Sequence, residues 1–349
     1  MGVGTFQTLP ADQVRRRSRV IVGIIGTGRI GAIHANNLSR HPAVSTIIVT
    51  DAIRAQAEHV AATYGADVAS GPTELLESVD AVVISTPADV HVEQIELAVD
   101  HRVPALCEKP LAMNLADADR AVAIVSESDV SVQIGFNRRF DPGYRRARDL
   151  VADGSLGIVT LVVGQHHDFE LPDKEYIARS GGEFRDQLIH DFDILRFVTG
   201  REVVRVHATG ATRAFDWFAE FDDYAQTAVT LWLDDGTLAM LCGSRHDPVG
   251  YDVRMEVFGT KDSIAIGLGP RTPLRSVEPG VPPPIDPYTE WIPRFGGTYA
   301  DEIDAFLAMV RNGEPNECTV EDARAALVIA EACTISAREG RIVALEELA

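Results

Sequence analysis

At 349 residues the chain is long for one hydrophobic core and comfortable for two domains. Its formal charge of −20, from 52 acidic against 32 basic residues, makes it a poor match for nucleic acid or an anionic membrane surface. The four cysteines, Cys107, Cys242, Cys318 and Cys333, sit far apart without a C-x-x-C pair, which fits a reducing cytoplasm and offers no zinc site.

The first 18 residues include Arg15-Arg16-Arg17 and read as a disordered extension. The apolar stretch behind them, VIVGII, is shorter than the ~7–15 residues of an export signal's core and runs straight into a glycine turn. No other segment approaches the ~20 apolar residues of a membrane helix.

Val20 to Ile25 is rich in β-branched residues and suits a buried parallel strand. The turn Gly26-Thr27-Gly28-Arg29-Ile30-Gly31 follows. Its first glycine permits the tight bend, the second lets backbone N–H groups approach a pyrophosphate, and the third lets the next helix pack close. A second apolar run ends at Thr50-Asp51, and Asp51 stands 20 positions after Gly31, where a carboxylate would accept hydrogen bonds from an adenosine ribose. Glycine turns alone are common. The strand before, the amphipathic helix after and the acid at the second strand's end together point to dinucleotide binding, with Asp51 favouring NAD over NADP by repelling a 2′-phosphate.

Strand candidates Thr46 to Thr50, Ala81 to Ser85, Ala105 to Leu106 and Val130 to Gly135 alternate with helical patterns at Val90 to Val99 and Ala116 to Ser128, which predicts a parallel, doubly wound sheet over residues 19–140. Ligands of such sheets bind outside the carboxyl ends of the strands. Three places qualify: Thr86-Pro87, Glu108-Lys109-Pro110 and Asn137-Arg138-Arg139.

From residue 141 to 349 the texture changes. A helix, Pro142 to Ala152, leads into strand-like runs at Ile158 to Gly164, Val203 to Ala208, Ala225 to Leu233, Thr237 to Cys242, Val253 to Phe258 and Ser263 to Ile266, with Asp234-Asp235-Gly236 as a hairpin turn. The pattern predicts an open, mostly antiparallel sheet with one helix, Leu188 to Val198, laid against it. Its remaining face suits burial against a second copy, so a homo-oligomer, dimer or tetramer, is expected. The proline-rich Leu268 to Gly297 reads as a loop or arm, and helices at Tyr299 to Val310 and Val320 to Arg338 close the chain.

Lys109 follows a strand that would end at the cofactor. It is either a donor to a substrate hydroxyl beside the nicotinamide or a solvated surface lysine. Asp186 and His190 are spaced i, i+4, so on a continuous helix they share a face, with Asp193 near it. A carboxylate that orients an imidazole makes it a better proton acceptor; equally, Asp186 could cap the helix and His190 stabilise it. His166, His167 and Asp168 lack metal-ligand spacing and suit a polar pocket wall. Arg138 binds substrate oxygens or pairs with Asp141, and Tyr251 offers a hydroxyl to a polyol or ends a strand.

These pieces occur together, in this order, in one family. The chain resembles the Gfo/Idh/MocA oxidoreductases from about Arg19 to Leu348. The resemblance rests on Gly26-x-Gly28-x-x-Gly31, on Glu108-Lys109-Pro110, and on Gly181-Gly182 with Asp186-x-x-x-His190. YIARSGGEFRDQLIHDFD and HDPVGYDVRMEVFGT look most like the inositol 2-dehydrogenase branch. The resemblance implies a Rossmann domain followed by an α+β domain, with Lys109, Asp186 and His190 as the catalytic trio. It also implies that Arg138, His167, Asp193 and Tyr251 face the substrate, and that Gly26, Gly28, Arg29, Ile30, Gly31, Asp51, Thr86, His91, Glu108 and Lys109 bind the cofactor, with no metal. The expected reaction is NAD-dependent oxidation of a secondary hydroxyl on a cyclic polyol or sugar. The alternatives are an NADP-dependent aldose or keto-sugar reductase and an NAD-binding sugar sensor without turnover. Many inositol dehydrogenases resemble S-R-D-P where this chain has His166-His167-Asp168-Phe169, which leaves the identity of the polyol open.

Overall fold

A computed structural model describes residues 19–348; the extension assigned to residues 1–18 lies outside them. The first sheet is formed by β1 (Val20–Ile25), β2 (Val44–Thr50), β3 (Asp67–Val68), β4 (Ala81–Ile84), β5 (Ala105–Glu108) and β6 (Val132–Gly135). All its pairings are parallel, in the order β3-β2-β1-β4-β5-β6. β4, β5 and β6 are buried at every position, as strands covered on both faces must be. Five helices connect and cover them: α1 (Arg29–Arg40), α2 (Arg54–Tyr64), α3 (Pro72–Leu76), α4 (His91–Asp100) and α5 (Leu115–Ser126). The strand order reverses between β1 and β4, and the crevice at that point is where such a sheet takes its ligand.

After α6 (Pro142–Ala152) the chain builds the second sheet from β7 (Val159–His167), β8 (Val203–Ala211), β9 (Gln226–Leu233), β10 (Leu238–Ser244), β11 (Asp252–Gly259), β12 (Ser263–Ile266) and β13 (Val343–Ala344). Its order is β12-β11-β7-β10-β9-β8-β13, antiparallel except where β7 meets β10. Between β7 and β8 lie α7 (Lys174–Ser180), α8 (Glu183–Asp186) and α9 (Ile189–Thr199). Phe192 and Leu195 of α9, Tyr144 of α6 and Ile329 of the last long helix pack on one face of the sheet with Val206, Leu231 and Leu241. On the strands, Leu238 and Met240 remain 40% and 50% exposed.

The two closing helices, α10 (Trp291–Asn312) and α11 (Val320–Glu339), serve both domains: Phe295 and Ile329 join the second core, and other residues of each helix reach the first. Ile303, Phe306 and Leu307 of α10 enter the core of β1, β2 and β4 beside Val22, Ile24 and Val83. Ala323 and Leu327 of α11 pack with Ile84, Cys107 and Ile134. An apolar helix stripe does not announce which sheet it covers, so a linear division at residue 141 hides this return. α10 also starts eight residues before the predicted Tyr299, taking the end of the proline-rich segment. Pro293 lies in its first turn, where N–H groups lack intrahelical partners anyway. No described helix is long and apolar enough to cross a membrane.

Candidate active site

Each glycine of the turn after β1 does a separable job. Gly26 has φ +92, and a Cβ there would come within 2.7 Å of the Ser85 backbone. A Cβ on Gly31 would sit 2.1 Å from the Gly26 carbonyl oxygen, so α1 can lie this close to β1 only with hydrogen in that place. A Cβ on Gly28 would meet nothing within 4 Å. Gly28 also precedes α1 without a side-chain cap, so the first N–H groups of the helix have no side-chain acceptor from the cap residue, a ready place for an anion.

At the end of β2, Asp51 Oδ2 accepts from the Thr27 N–H (2.6 Å) and Oγ1 (2.9 Å), while Oδ1 accepts from the Ile53 N–H (2.8 Å). The acid is therefore tied to the glycine turn it is expected to serve. Thr86 Oγ1, after β4, is buried without a hydrogen-bond partner among the described residues. This donor set, with its open cradle and adjoining carboxylate, fits a dinucleotide. Arg29 lies over the Trp291 ring at 5.0 Å, and Ile30 is half-buried in the first turn of α1.

Two expected cofactor residues are engaged elsewhere. His91 is buried, with Nδ1 2.8 Å from the Pro110 carbonyl and Nε2 2.9 Å from the Thr86 carbonyl, so it clamps the loops after β4 and β5 together. Glu108 turns into the protein, its Oε1 2.7 Å from His34 Nε2, in a buried group with Glu302. Position after a strand identifies a loop near the ligand but not the direction of each side chain, and both of these residues act behind the surface.

Lys109 follows Glu108, with a cis Lys109–Pro110 peptide. Its Nζ donates to the Asp186 carbonyl (3.0 Å) and approaches Asp186 Oδ1 at 3.5 Å. The first domain thus delivers a cation to the second domain's α8. Asp186 also accepts from Arg245 NH1 (2.8 Å) and from the Tyr176 hydroxyl (2.8 and 2.9 Å). Burial works against ionisation of this carboxyl, but the Lys109 and Arg245 charges and these hydrogen bonds outweigh it and hold the pKa at about 2.

The i, i+4 reading of Asp186 and His190 needs correction. α8 ends at Asp186 and α9 begins at Ile189, so Gln187 and Leu188 break the helix between them. The hydrogen bonds of the Asp186 side chain among the described residues go to Lys109, Arg245 and Tyr176, none to His190. His190 instead packs edge-on against Phe136, with Nδ1 buried and unpartnered among the described residues. Burial, reinforced by the nearby Lys109, Arg138 and His166, drives its pKa well below the ordinary histidine value, so the ring is neutral.

Behind His190 lies a buried polar wall. Arg138 NH1 donates to Asp191 Oδ1 (3.0 Å), and the other oxygen of Asp191 is 2.9 Å from His166 Nδ1. The Tyr251 hydroxyl is 3.3 Å from His166 Nε2. The partner of Arg138 is therefore Asp191, not Asp141, which caps α6 and pairs with Arg294. His167, alternating to the opposite side of β7, lies near Asp247 (3.7 Å), Asp252 and Cys242, away from this wall.

Asp193 does not face the substrate side either. Both its oxygens are taken by Arg139 (2.6–3.1 Å), whose NH1 continues to Asp322 on α11. A single deletion in a buried pair leaves an uncompensated charge. Asp193→Ala is therefore expected to cost about 3–5 kcal/mol in urea unfolding while leaving the substrate KM of the surviving folded protein within about twofold. A tenfold rise in KM without loss of stability would return Asp193 to the pocket.

Comparison with known proteins agrees with this fold. Residues 20–136 match the family model described as "Oxidoreductase family, NAD-binding Rossmann fold", and residues 144–265 match the "GFO/IDH/MocA C-terminal domain". The chain is 35% identical over 327 residues to the inositol 2-dehydrogenase of Rhizobium meliloti (strain 1021), covering 93% of this chain and 98% of that one. Its fold superposes with a TM-score of 0.89 on a probable dehydrogenase from Thermotoga maritima, at 32% identity and covering 94% and 100% of the two chains. It superposes at 0.86 on the scyllo-inositol dehydrogenase of Lactobacillus casei solved with NAD(H) and scyllo-inositol, at 28% identity and 94% and 99% coverage. With a parallel dinucleotide-binding sheet, a mixed second sheet and both halves matched, this chain belongs to the GFO/IDH/MocA family of oxidoreductases.

Proposed function

We propose that the chain is an NAD-dependent dehydrogenase that oxidises one secondary hydroxyl of an inositol-like cyclic polyol to the ketone. The observation that carries this reading is the meeting of Lys109, from the end of β5 in the first domain, with Asp186 and the His190 environment of the second, beside the crevice of the first sheet. Bound NAD⁺ supplies the hydride acceptor. The chain's own residues manage the proton and the charge. Neutral His190 takes the proton from the reacting hydroxyl, and its depressed pKa keeps it available as a base near neutrality. Lys109, held by Asp186, places its ammonium where the alkoxide oxygen develops negative charge. The buried wall of Arg138, His166 and Tyr251 supplies fixed polar groups for the neighbouring hydroxyls of the ring.

Asp51 supports NAD over NADP, since its carboxylate already faces the turn and would repel a 2′-phosphate. The exposed Leu238 and Met240 on the second sheet support a homo-oligomer formed through that face, and four unpaired cysteines support a reducing, cytoplasmic setting. The test is nicotinamide reduction with a panel of inositols and aldoses. Turnover is expected with at least one inositol, at a kcat/KM for NAD⁺ roughly a hundredfold above that for NADP⁺, the size of about 2–3 kcal/mol. Reduction of no nicotinamide by any polyol, or a preference for NADP⁺, overturns the reading.

A further inference from the structure

Arg245 stands at a position that neither the glycine turn nor the Lys109, Asp186 and His190 set accounts for. It follows β10, is 2% exposed, and reaches Asp186 Oδ2 from a side other than Lys109. Its Nε and NH2 have no hydrogen-bond partner among the described residues, and its next carboxylate, Asp223, is 3.9 Å away. A buried guanidinium that leaves donors unused is a poor contribution to stability by itself. What it does accomplish is to fix one oxygen of Asp186.

The rest of its surroundings point the same way. Glu183 is fully buried with both carboxyl oxygens unpartnered among the described residues, and burial, only partly opposed by Arg245, pushes it up to about 8. Held towards its neutral form, Glu183 offsets the arginine charge only in part. Asp168 is turned to the Gln187 amide at 2.7 Å. The Tyr176 hydroxyl, from α7, donates into both oxygens of Asp186, and burial beside that carboxylate keeps the phenol protonated. Asp186 is therefore faced by Lys109 just after β5, Arg245 just after β10 and Tyr176 from α7.

We infer that Arg245 and Tyr176 are positioning residues for the dehydrogenase reaction, acting by locking the ionised Asp186 in the place from which it anchors the Lys109 ammonium. Asp186 then serves the lysine rather than the imidazole, which accounts for its lack of contact with His190. This inference rests on the proposed function for its kinetic consequence but not for its electrostatic one.

The test uses Tyr176→Phe, Arg245→Lys and Arg245→Met in the full-length protein. Loss of a hydrogen bond to a charged group corresponds to roughly ten- to hundredfold, so Arg245→Met is expected to lower kcat by about that factor, with the KM for NAD⁺ unchanged. Arg245→Lys, which keeps the charge, should recover part of it. In all three the Asp186 carboxyl titrates at higher pH, least in Arg245→Lys, because Asp186 has lost a hydrogen bond that favours its ionised form. Carbon-detected NMR of the Asp186 carboxyl, assigned with Asp186→Asn, reads the same change without any substrate: wild type shows no titration above about pH 4, near the ordinary aspartate value, and the variants do. Should Arg245→Met not fold, Tyr176→Phe, which removes a hydroxyl from a partly exposed residue, carries the test. An Asp186 titration unchanged from wild type in Tyr176→Phe, and in Arg245→Met where it folds, overturns the inference. A wild type that turns over no polyol, yet shows the NMR shifts, overturns the proposed function and leaves the positioning role standing.

Discussion

His190→Ala loses turnover by roughly a hundredfold to ten-thousandfold, the span of a positioned general base, while NAD binding stays within about twofold. The ring lies at the start of α9, packed on Phe136, and no hydrogen bond or ring contact among the described residues ties it to the glycine turn, so its removal should leave the cofactor cradle intact. Only the unprotonated ring accepts a proton, and burial with three neighbouring cationic or imidazole groups favours that form. The rate should thus rise with pH through a midpoint below the ordinary histidine value of 6.5, and this limb should vanish in the variant. Stability follows the same sign. His91, His166 and His190 all have folded pKa values depressed by burial, so their contribution is present above 6.5 and is lost as pH falls through the folded values. Near-wild-type kcat in His190→Ala would move the proton acceptor to Lys109.

The order of legibility follows the range of the interactions. The first sheet and its cofactor turn could be read directly, because strand, glycines and Asp51 lie within one short stretch whose spacing is set by local geometry. Helix α6 and strand β12 have the boundaries expected of them, each being bounded by its own turn chemistry. Sequence also singled out Lys109, Asp186 and His190, which the structure brings close together, but not their contacts. The break at Gln187 and Leu188 leaves no mark in residue spacing, and it turns Asp186 towards Lys109, Arg245 and Tyr176. Arg245 is 59 positions from Asp186, and only the closure of the second sheet brings them together. Its one local signal was its place just beyond a strand end. Arg138 and Arg139 were indistinguishable as letters; the tight turn they occupy sends one to Asp191 and the next to Asp193. Asp191, one position after His190, has no spacing signal of its own; only the fold sets it between Arg138 and His166.

Gly31→Ala and Gly28→Ala should both lose NAD, for opposite reasons, and the contrast tests the cradle more sharply than either alone. At Gly31 the new methyl meets the Gly26 carbonyl at 2.1 Å and Ser85 Oγ at 2.8 Å. The first of these is backbone, held by the Gly26 N–H bond to Thr50 and by the Ser85 hydroxyl, so it cannot give way. α1 must instead move off β1. Overpacking of this kind costs about 1–3 kcal/mol, and the displaced N–H groups of α1 weaken NAD binding about a hundredfold, the worth of one or two charge-assisted hydrogen bonds at roughly 1.5–3 kcal/mol each. At Gly28 the backbone has φ −66, open to any residue, and the new methyl meets no protein atom within 4 Å. Urea unfolding should therefore change by no more than about 0.5 kcal/mol. The methyl instead occupies the space over the helix N-terminus where the pyrophosphate must approach, and NAD affinity should fall about tenfold or more, by about 1.4 kcal/mol. Titration calorimetry with NAD and urea unfolding on both variants separate the two effects. If Gly28→Ala binds NAD as wild type does, the phosphates do not sit over the start of α1, and the cradle built from the turn after β1 is wrong.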